Sequence, residues 1–472
     1  MDVHGLQKKA LRVADAQWYE NQTLSLPGMP EPAQGPKKPL VLEQGRPRTS
    51  GYVVLIAVFL RGYCGAGFKS ADVTSTMMES ITLRVFFTNL GVKMPGRSTL
   101  TELVNAISNE TRLLVLDSQV SRALRLGLDD FKTFLQDSTH VDSNTVWPTD
   151  SRLMVNLVSR MIRVGEGLER VGLSPIDCAR IRKYRHKMVT LNREIEFSYG
   201  KKDGKRTRRR RYEKLLRISK RIHTLLTTKV VKLAEAANAL DVRPSRKAIA
   251  ERAVECLRVD LDSLQRVCDV CEARVIEEKK VPMSEKFLSL SDPDVGFISK
   301  GQRESVVGYK PQLARSGAGF ITGLRLPQGN APDSKNLLSM VDDVIARTSV
   351  TPTVVSVDDG YASAANKKAL EFRNIEVISI NGAKGRALTS PTDWESDVFG
   401  EARDKRSAVE SLMFTLKYCF DFGEVARRGL SCVYAELLEK VLAYNIRLTA
   451  RLRRESAHAK TTESPPLNQA AA

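Results

Sequence analysis

Apolar positions along the chain change their period several times, and the changes divide it. Between Gly51 and about Phe131 they recur at helical spacing, with Leu100, Leu103, Val104 and Ile107 on one face. Thr99 and Glu102, after the Pro95-Gly96 turn, have the T-x-x-E spacing of a capping box, which predicts a helix start there. From Ser151 to about Lys280 a 3.6-residue period persists with no long strand-like run, which predicts a helical block. Within it, Leu215, Leu216, Ile218, Ile222, Leu225 and Leu226 suit one arm of a helical hairpin. Strand-like segments stand on both sides of the block. Phe134 to Val141 precedes it; Ser305 to Leu313 and Gly319 to Leu326 follow it as a hairpin around a Ser-Gly-Ala-Gly turn. Asp333 is expected to cap a helix running to about Arg347, followed by a strand at Thr353–Val357, a helix at Ala364–Phe372 and a strand at Ile375–Ile380. The order β, helical insert, β-β-α-β-α-β-α predicts an α+β or α/β fold whose sheet is interrupted once, at length.

These changes predict six segments. Residues 1–48, which carry Pro27, Pro30, Pro32, Pro36, Pro39 and Pro47, are expected to be an extended, largely disordered arm. Residues 49–131 are a small helical domain, 132–150 the first strand segment, 151–280 a helical insertion and 281–454 the remainder of the sheet domain. The tail 455–472, rich in Ala, Thr and Pro, is expected to be disordered.

Composition narrows the function. The 472 residues suggest roughly three domains, or one with large insertions. Hydrophobic residues at 42% are enough for buried cores, which excludes a disordered or fibrous chain. Lys and Arg number 74 against 55 Asp and Glu, a net +19 that favours a polyanionic partner, with nucleic acid the leading candidate. Most of the excess lies between Arg180 and Lys232, where 20 basic and 4 acidic residues leave +16. Its centre is the run Lys201 to Arg211, expected at the tip of the hairpin, where Arg208, Arg209, Arg210 and Arg211 would contact phosphates without regard to sequence. Seven scattered cysteines do not form a secreted disulfide framework, and a reducing cytoplasm fits them better. The longest apolar run, Tyr52 to Leu60, is far short of the roughly 20 residues that span a bilayer. A soluble protein with no membrane partner is expected.

Three acidic residues stand where strands and a helix would gather them. Asp137 lies inside the first strand, Asp358 ends the run Thr353-Val354-Val355-Ser356-Val357, and Glu410 lies on the helix after the last strand. Hard cations such as Mg²⁺ take oxygen ligands, and a pair of them about 3.5–4 Å apart serves phosphoryl transfer. Thr139, two residues beyond Asp137, would share its side of the strand, whereas His140 would point away. Cys268 and Cys271 form a C-x-x-C without a second pair or nearby His, so zinc is not expected there. Gly45-Arg46-Pro47, with Arg48 beside it, has the core of an arm that enters a DNA minor groove. Thr145 to Asp150 is expected to be a structured turn rather than a substrate contact.

The segments Gln136-Asp137-Ser138-Thr139, Val354 to Tyr361 and Arg406 to Glu410 with Leu416-Lys417 resemble the three catalytic segments of DDE transposases from bacterial insertion sequences, most closely the ISNCY-like group. The resemblance extends from Gly45-Arg46-Pro47-Arg48 to the helix near Asn445. It implies a helical N-terminal domain that binds DNA or dimerises, then an RNase H-like, retroviral-integrase-like catalytic domain carrying the basic insertion. It implies two Mg²⁺ ions, replaceable by Mn²⁺, with Asp137 bridging both and Asp358 and Glu410 each completing one; Asp359 is the alternative second carboxylate. The third segment of related enzymes reads Y-(2)-R-(3)-E-(6)-K, matched by Arg406, Glu410 and Lys417, with Arg403 in the tyrosine's place. Arg406 and Lys417 would share a face of the Glu410 helix and touch phosphates. The implied partners are double-stranded DNA, as element ends and target, and further copies of the chain as a dimer or larger complex in the nucleoid-associated cytoplasm. The implied activity is binding of terminal inverted repeats, strand cleavage and strand transfer. An inactive DNA-binding derivative is the first rival, against which all three carboxylates are present; an RNase H-like nuclease acting on RNA is the second, without the usual aromatic motifs of single-strand readers.

Overall fold

The computed structural model describes residues 49–65, 70–145, 149–173, 176–299 and 305–462. The proline-rich arm with Arg46 and Arg48, and Val146-Trp147-Pro148 of the expected turn, lie outside the described residues. The chain forms two compact units, one of residues 146–293 and one of residues 46–145 with 294–472.

The second unit is built on a five-stranded mixed sheet. Its strands are β1 (Thr133–Ser138), β5 (Gln312–Ser316), β6 (Ile321–Arg325), β7 (Val354–Val357) and β8 (Val377–Ile380), in the order β6-β5-β1-β7-β8. β1 runs antiparallel to β5, with Asp137 opposite Leu313, and parallel to β7, with Phe134 opposite Val355. This order is consistent with the RNase H-like sheet that the resemblance implies. β1 and β7 are buried on both faces, which is why they read as continuous apolar and β-branched runs. Helices α10 (Leu337–Thr348) and α11 (Ala364–Phe372) cover one face, where Phe134, Val355 and Val357 pack with Met340, Val341, Leu370 and Tyr361.

Two expected strands are each broken in two. The first ends at Ser138, and β2 (Val141–Asp142) joins a separate three-stranded sheet, β2-β4-β3, with β3 (Gly296–Ile298) and β4 (Val306–Tyr309). The stretch Ser305–Leu313 divides at Lys310-Pro311 into β4 and β5. Proline has no N–H to give a ladder, so the strand bends there while Pro311 O still accepts Thr139 N–H at 3.1 Å. The hairpin is therefore β5–β6, closed by Gly319 at φ +106°.

Five helices precede the sheet: α1 (Gly51–Cys64), α2 (Ser70–Glu79), α3 (Ile81–Asn89), α4 (Arg97–Ala106) and α5 (Asn109–Arg125). α4 begins after Gly96 without a side-chain cap, so the Thr99–Glu102 capping box is not formed. α1 packs on the last helix, α16 (Leu430–Thr462), so closely that a Cβ on Gly62 would meet Glu439 O at 2.2 Å. The buried Glu439 carboxylate there takes Arg61 at 2.6 Å, Arg112 at 2.7 Å and Arg427 at 3.4 Å. α16 continues to Thr462, so the first residues of the expected tail are helical, and the rest of it lies outside the described residues.

The first unit is all helical: α6 (Asp150–Arg170), α7 (Cys178–Glu196), α8 (Gly204–Asn238) and α9 (Pro244–Cys271) share a core that includes Met154, Leu157, Met188, Leu215, Ile222, Leu257 and Leu264. Cys268 and Cys271 belong to that core, and burial pushes the Cys268 thiol up to about 12, so the pair packs as neutral thiols. α7 and α8 form the expected hairpin, but the basic run is not all in its tip. Gly204 starts α8, because a Cβ there would meet Ser198 O at 2.2 Å, and Arg208 to Arg211 lie on its first turns. Among the described residues no helix is long and apolar enough to cross a membrane.

Candidate active site

Asp137 is the last residue but one of β1, and its Oδ1 accepts the Ser138 N–H at 2.7 Å. Asp358 is the first residue beyond β7, the parallel neighbour of β1, and its Oδ1 accepts the Gly360 N–H at 2.9 Å. The other oxygen of each, Oδ2, lies 3.8 Å from the same atom, Arg406 Nη2. Arg406 Nη1 lies 3.4 Å from Oε1 of Glu410, on helix α15 (Ser407–Cys419). Two strand ends and a helix thus bring three carboxylates around one guanidinium, whose buried Nε has no hydrogen-bond partner. Arg406 itself stands between α14 (Asp397–Lys405) and α15 rather than within the Glu410 helix as expected, because α15 starts only at Ser407.

The two neighbouring aspartates separate cleanly. Asp359 turns away and accepts the N–H groups of Lys384 (2.8 Å) and Gly385 (3.0 Å), capping α12 (Ala383–Leu388). Gly382, at φ +114°, makes room for it, since a Cβ there would meet Asp359 Cβ at 2.6 Å. Lys417 lies on α15, half-buried, with Nζ 3.5 Å from His140 Nε2. His140, beyond the end of β1 at Ser138, therefore faces this helix. Thr139 is buried beside Asp137 in sequence, and its backbone holds Pro311. Arg403 lies over the ring of Trp394, the last residue of α13 (Pro391–Trp394), at 5.7 Å, with Arg386 over the same ring at 5.9 Å.

A buried polar cluster behind the carboxylates was not evident from the chain. The Tyr361 hydroxyl donates to Gln312 Oε1, which also receives Gln136 Nε2 at 3.2 Å. Gln312 Nε2 donates to Asp333 Oδ1 at 2.6 Å, and Lys310 Nζ pairs with Asp333 at 2.8 Å. Asp333 therefore does not cap α10, which begins at Leu337 after a 3₁₀ turn, Asp333–Asn336. A Cβ on Gly360 would lie 3.0 Å from Asp358 Oδ1 and 3.2 Å from Asp333 Oδ2, so the Asp358 turn rests on Asp333. Burial, then the charges of Asp333, Asp137 and Asp358, hold the Tyr361 hydroxyl well above its ordinary range and hence neutral. The only advance signal was Tyr361 itself, inside Asp358-Asp359-Gly360-Tyr361.

On the helical unit, most of the expected phosphate-contacting arginines have partners within the chain. Arg208 lies over the Tyr199 ring at 4.5 Å and donates to Ser198 O at 3.2 Å. Arg209 pairs with Glu213 at 3.7 Å, and Arg211 with Glu194 at 2.7 Å. Arg210 is exposed and has no ion pair among the described residues.

Residues 276–446 match the family described as "Transposase DDE domain". The chain carries a transposase DDE domain. The match contains Asp358, Arg406, Glu410 and Lys417; Asp137 precedes it and joins the DDE domain through the β1–β7 pairing. No curated protein and no solved structure matches the chain. Two aspartates and a glutamate around one guanidinium are oxygen donors of the type that hard divalent ions take. Among the described residues no three His, Cys, Asp or Glu side chains are already drawn together as a metal cluster, and the guanidinium of Arg406 stands between the carboxylates instead.

Proposed function

We propose that the chain is the transposase of an insertion sequence: it binds the terminal inverted repeats of its element, cleaves DNA beside them and joins the 3′-OH ends to a target. One observation carries this, the meeting of Asp137, Asp358 and Glu410 on one guanidinium within an RNase H-like sheet. Asp137, the most buried of the three, would bridge two Mg²⁺ ions; Asp358 and Glu410 would each complete one. Mn²⁺ would substitute. The bound ions would activate the attacking oxygen and stabilise the leaving one. The chain itself supplies no nucleophile. Its part is to hold rigid oxygens at strand ends, to brace the Asp358 turn through Tyr361, Gln312, Asp333 and Lys310, and to place Arg406 and Lys417 against phosphates. Exposed basic residues of the helical insertion would add sequence-independent contact, and two element ends processed together call for at least a dimer.

The test is cleavage of a duplex carrying the coding region's own flanks, with and without Mg²⁺. Wild type should cut at the element boundary, and Asp137→Ala, Asp358→Ala and Glu410→Ala should each bind the duplex without cutting it. Cutting that survives all three substitutions would remove the carboxylates from the chemistry; binding without cutting by wild type would leave an inactive DNA-binding protein.

A further inference from the structure

The helix that carries Glu410 also carries two aromatic rings that the fold leaves in water. Phe414 is 63% and Tyr418 75% exposed, and their rings stack with centroids 4.3 Å apart at 35°. Glu410, Phe414 and Tyr418 recur every four residues along α15, so they form one stripe on its surface, with Arg406 just before the helix begins. At 1.5 Å per residue the rings lie about 6 and 12 Å from Glu410 along the axis. A DNA strand rises about 3.4 Å per nucleotide, so the rings face positions roughly two to four nucleotides from the phosphate at the carboxylates.

We infer that Phe414 and Tyr418 are a stacking platform for unpaired bases at the DNA end beside the cleaved phosphate. The inference rests on the DNA-cleaving reading given above. Every base has a π-face, so such a platform grips a frayed end of any sequence. The two rings hold each other in place, and little side-chain freedom is left to lose when a base arrives. Arg406, just before α15, and Lys417, on α15 next to Tyr418, are cations that suit the backbone that joins those bases. A second protein copy is a poorer occupant. Two rings are a small part of the roughly 1,000 Å² that a stable interface needs, and the core of such an interface is depleted in charged residues like Glu410.

The experiment compares full-length wild type with Phe414→Ala and Tyr418→Ala on a blunt duplex and on one ending in four unpaired nucleotides that carry 2-aminopurine. Phe372→Ala is the control, an 87% exposed ring on another helix. Wild type and Phe372→Ala should prefer the unpaired end and quench its 2-aminopurine. Each platform variant should lose about five- to thirty-fold of that preference, together with the quenching. Equal preference and quenching in all four proteins, or wild-type binding with no preference, would overturn the platform while leaving the DNA reading intact. Variants that fall from dimer to monomer in light scattering would overturn it in favour of a copy–copy interface. Wild type that binds neither duplex would overturn both.

Discussion

Arg406 is the most revealing residue to change, because it occupies the point toward which the three carboxylates turn. Arg406→Gln keeps a polar side chain, two bonds shorter, and removes the charge. Unit charges near 4 Å attract by about 4 kcal/mol at the effective dielectric of a protein surface, before desolvation is subtracted. The side chains of Asp137 and Asp358 are 9% and 26% exposed, so each of these pairs should retain about 1 kcal/mol net. The Glu410 carboxylate is 66% exposed, and its pair should add only a few tenths of a kcal/mol. Without metal, Arg406→Gln should therefore lose about 2–3 kcal/mol, or roughly 4–6 °C in melting temperature at about 2 °C per kcal/mol for a unit of this size. With Mg²⁺ the order should change. A divalent ion must displace the guanidinium in wild type and meets only carboxylates in the variant, so up to about 2 kcal/mol should return as roughly 30-fold tighter metal binding. Thermal melts over a Mg²⁺ titration, with Arg406→Lys as the charge-preserving comparison, measure both effects. Equal melting points without metal, or equal Mg²⁺ increments in wild type and Arg406→Gln, would refute the idea that Arg406 is the counter-charge of this site.

Three further outcomes follow from the structure. Asp359→Ala should cost about 1 kcal/mol through removal of the cap on α12 yet keep the Mg²⁺-dependent rise in melting temperature, while Asp358→Ala should abolish that rise; the reverse pattern would exchange their assignments. Glu439→Gln should destabilise the α1–α16 packing by about 3–5 kcal/mol in urea unfolding, since it leaves the buried Arg112 and the half-buried Arg61 without their counter-charge; a change under 1 kcal/mol would show that neighbouring groups compensate. Replacing the exposed Lys201, Lys202, Arg206 and Arg210 by Gln should weaken binding to every DNA sequence alike and flatten its salt dependence by up to about one unit of slope for each phosphate no longer neutralised, whereas an unchanged slope would remove the insertion from phosphate binding.

Local pattern was enough for elements whose environment is uniform. Ala364–Phe372 is helical over its expected length, and the β-branched run Thr353–Val357 became β7 because both its faces are covered. Pattern failed where an apolar run crosses from one sheet to another, as at Lys310-Pro311, although the proline was a legible cue. Asp333 shows a different limit. An aspartate before an apolar helix suits a cap equally well, and only Lys310, 23 residues earlier in the chain, draws it into the polar cluster. The position of Asp137 beside Asp358 depends on β1 and β7 pairing across the whole helical insertion, which no local spacing expresses. The same holds for the basic run. Its charge was plain, whereas the neutralising partners Glu194 and Glu213 become neighbours only through hairpin and helix geometry.

Anomalous scattering from crystals of the protein soaked in Mn²⁺ tests directly whether the three carboxylates hold metal. Manganese should be bound by oxygens of Asp137, Asp358 and Glu410, with the Arg406 guanidinium withdrawn from between them. Manganese bound elsewhere, with Arg406 still held among the three carboxylates at saturating metal, would contradict it.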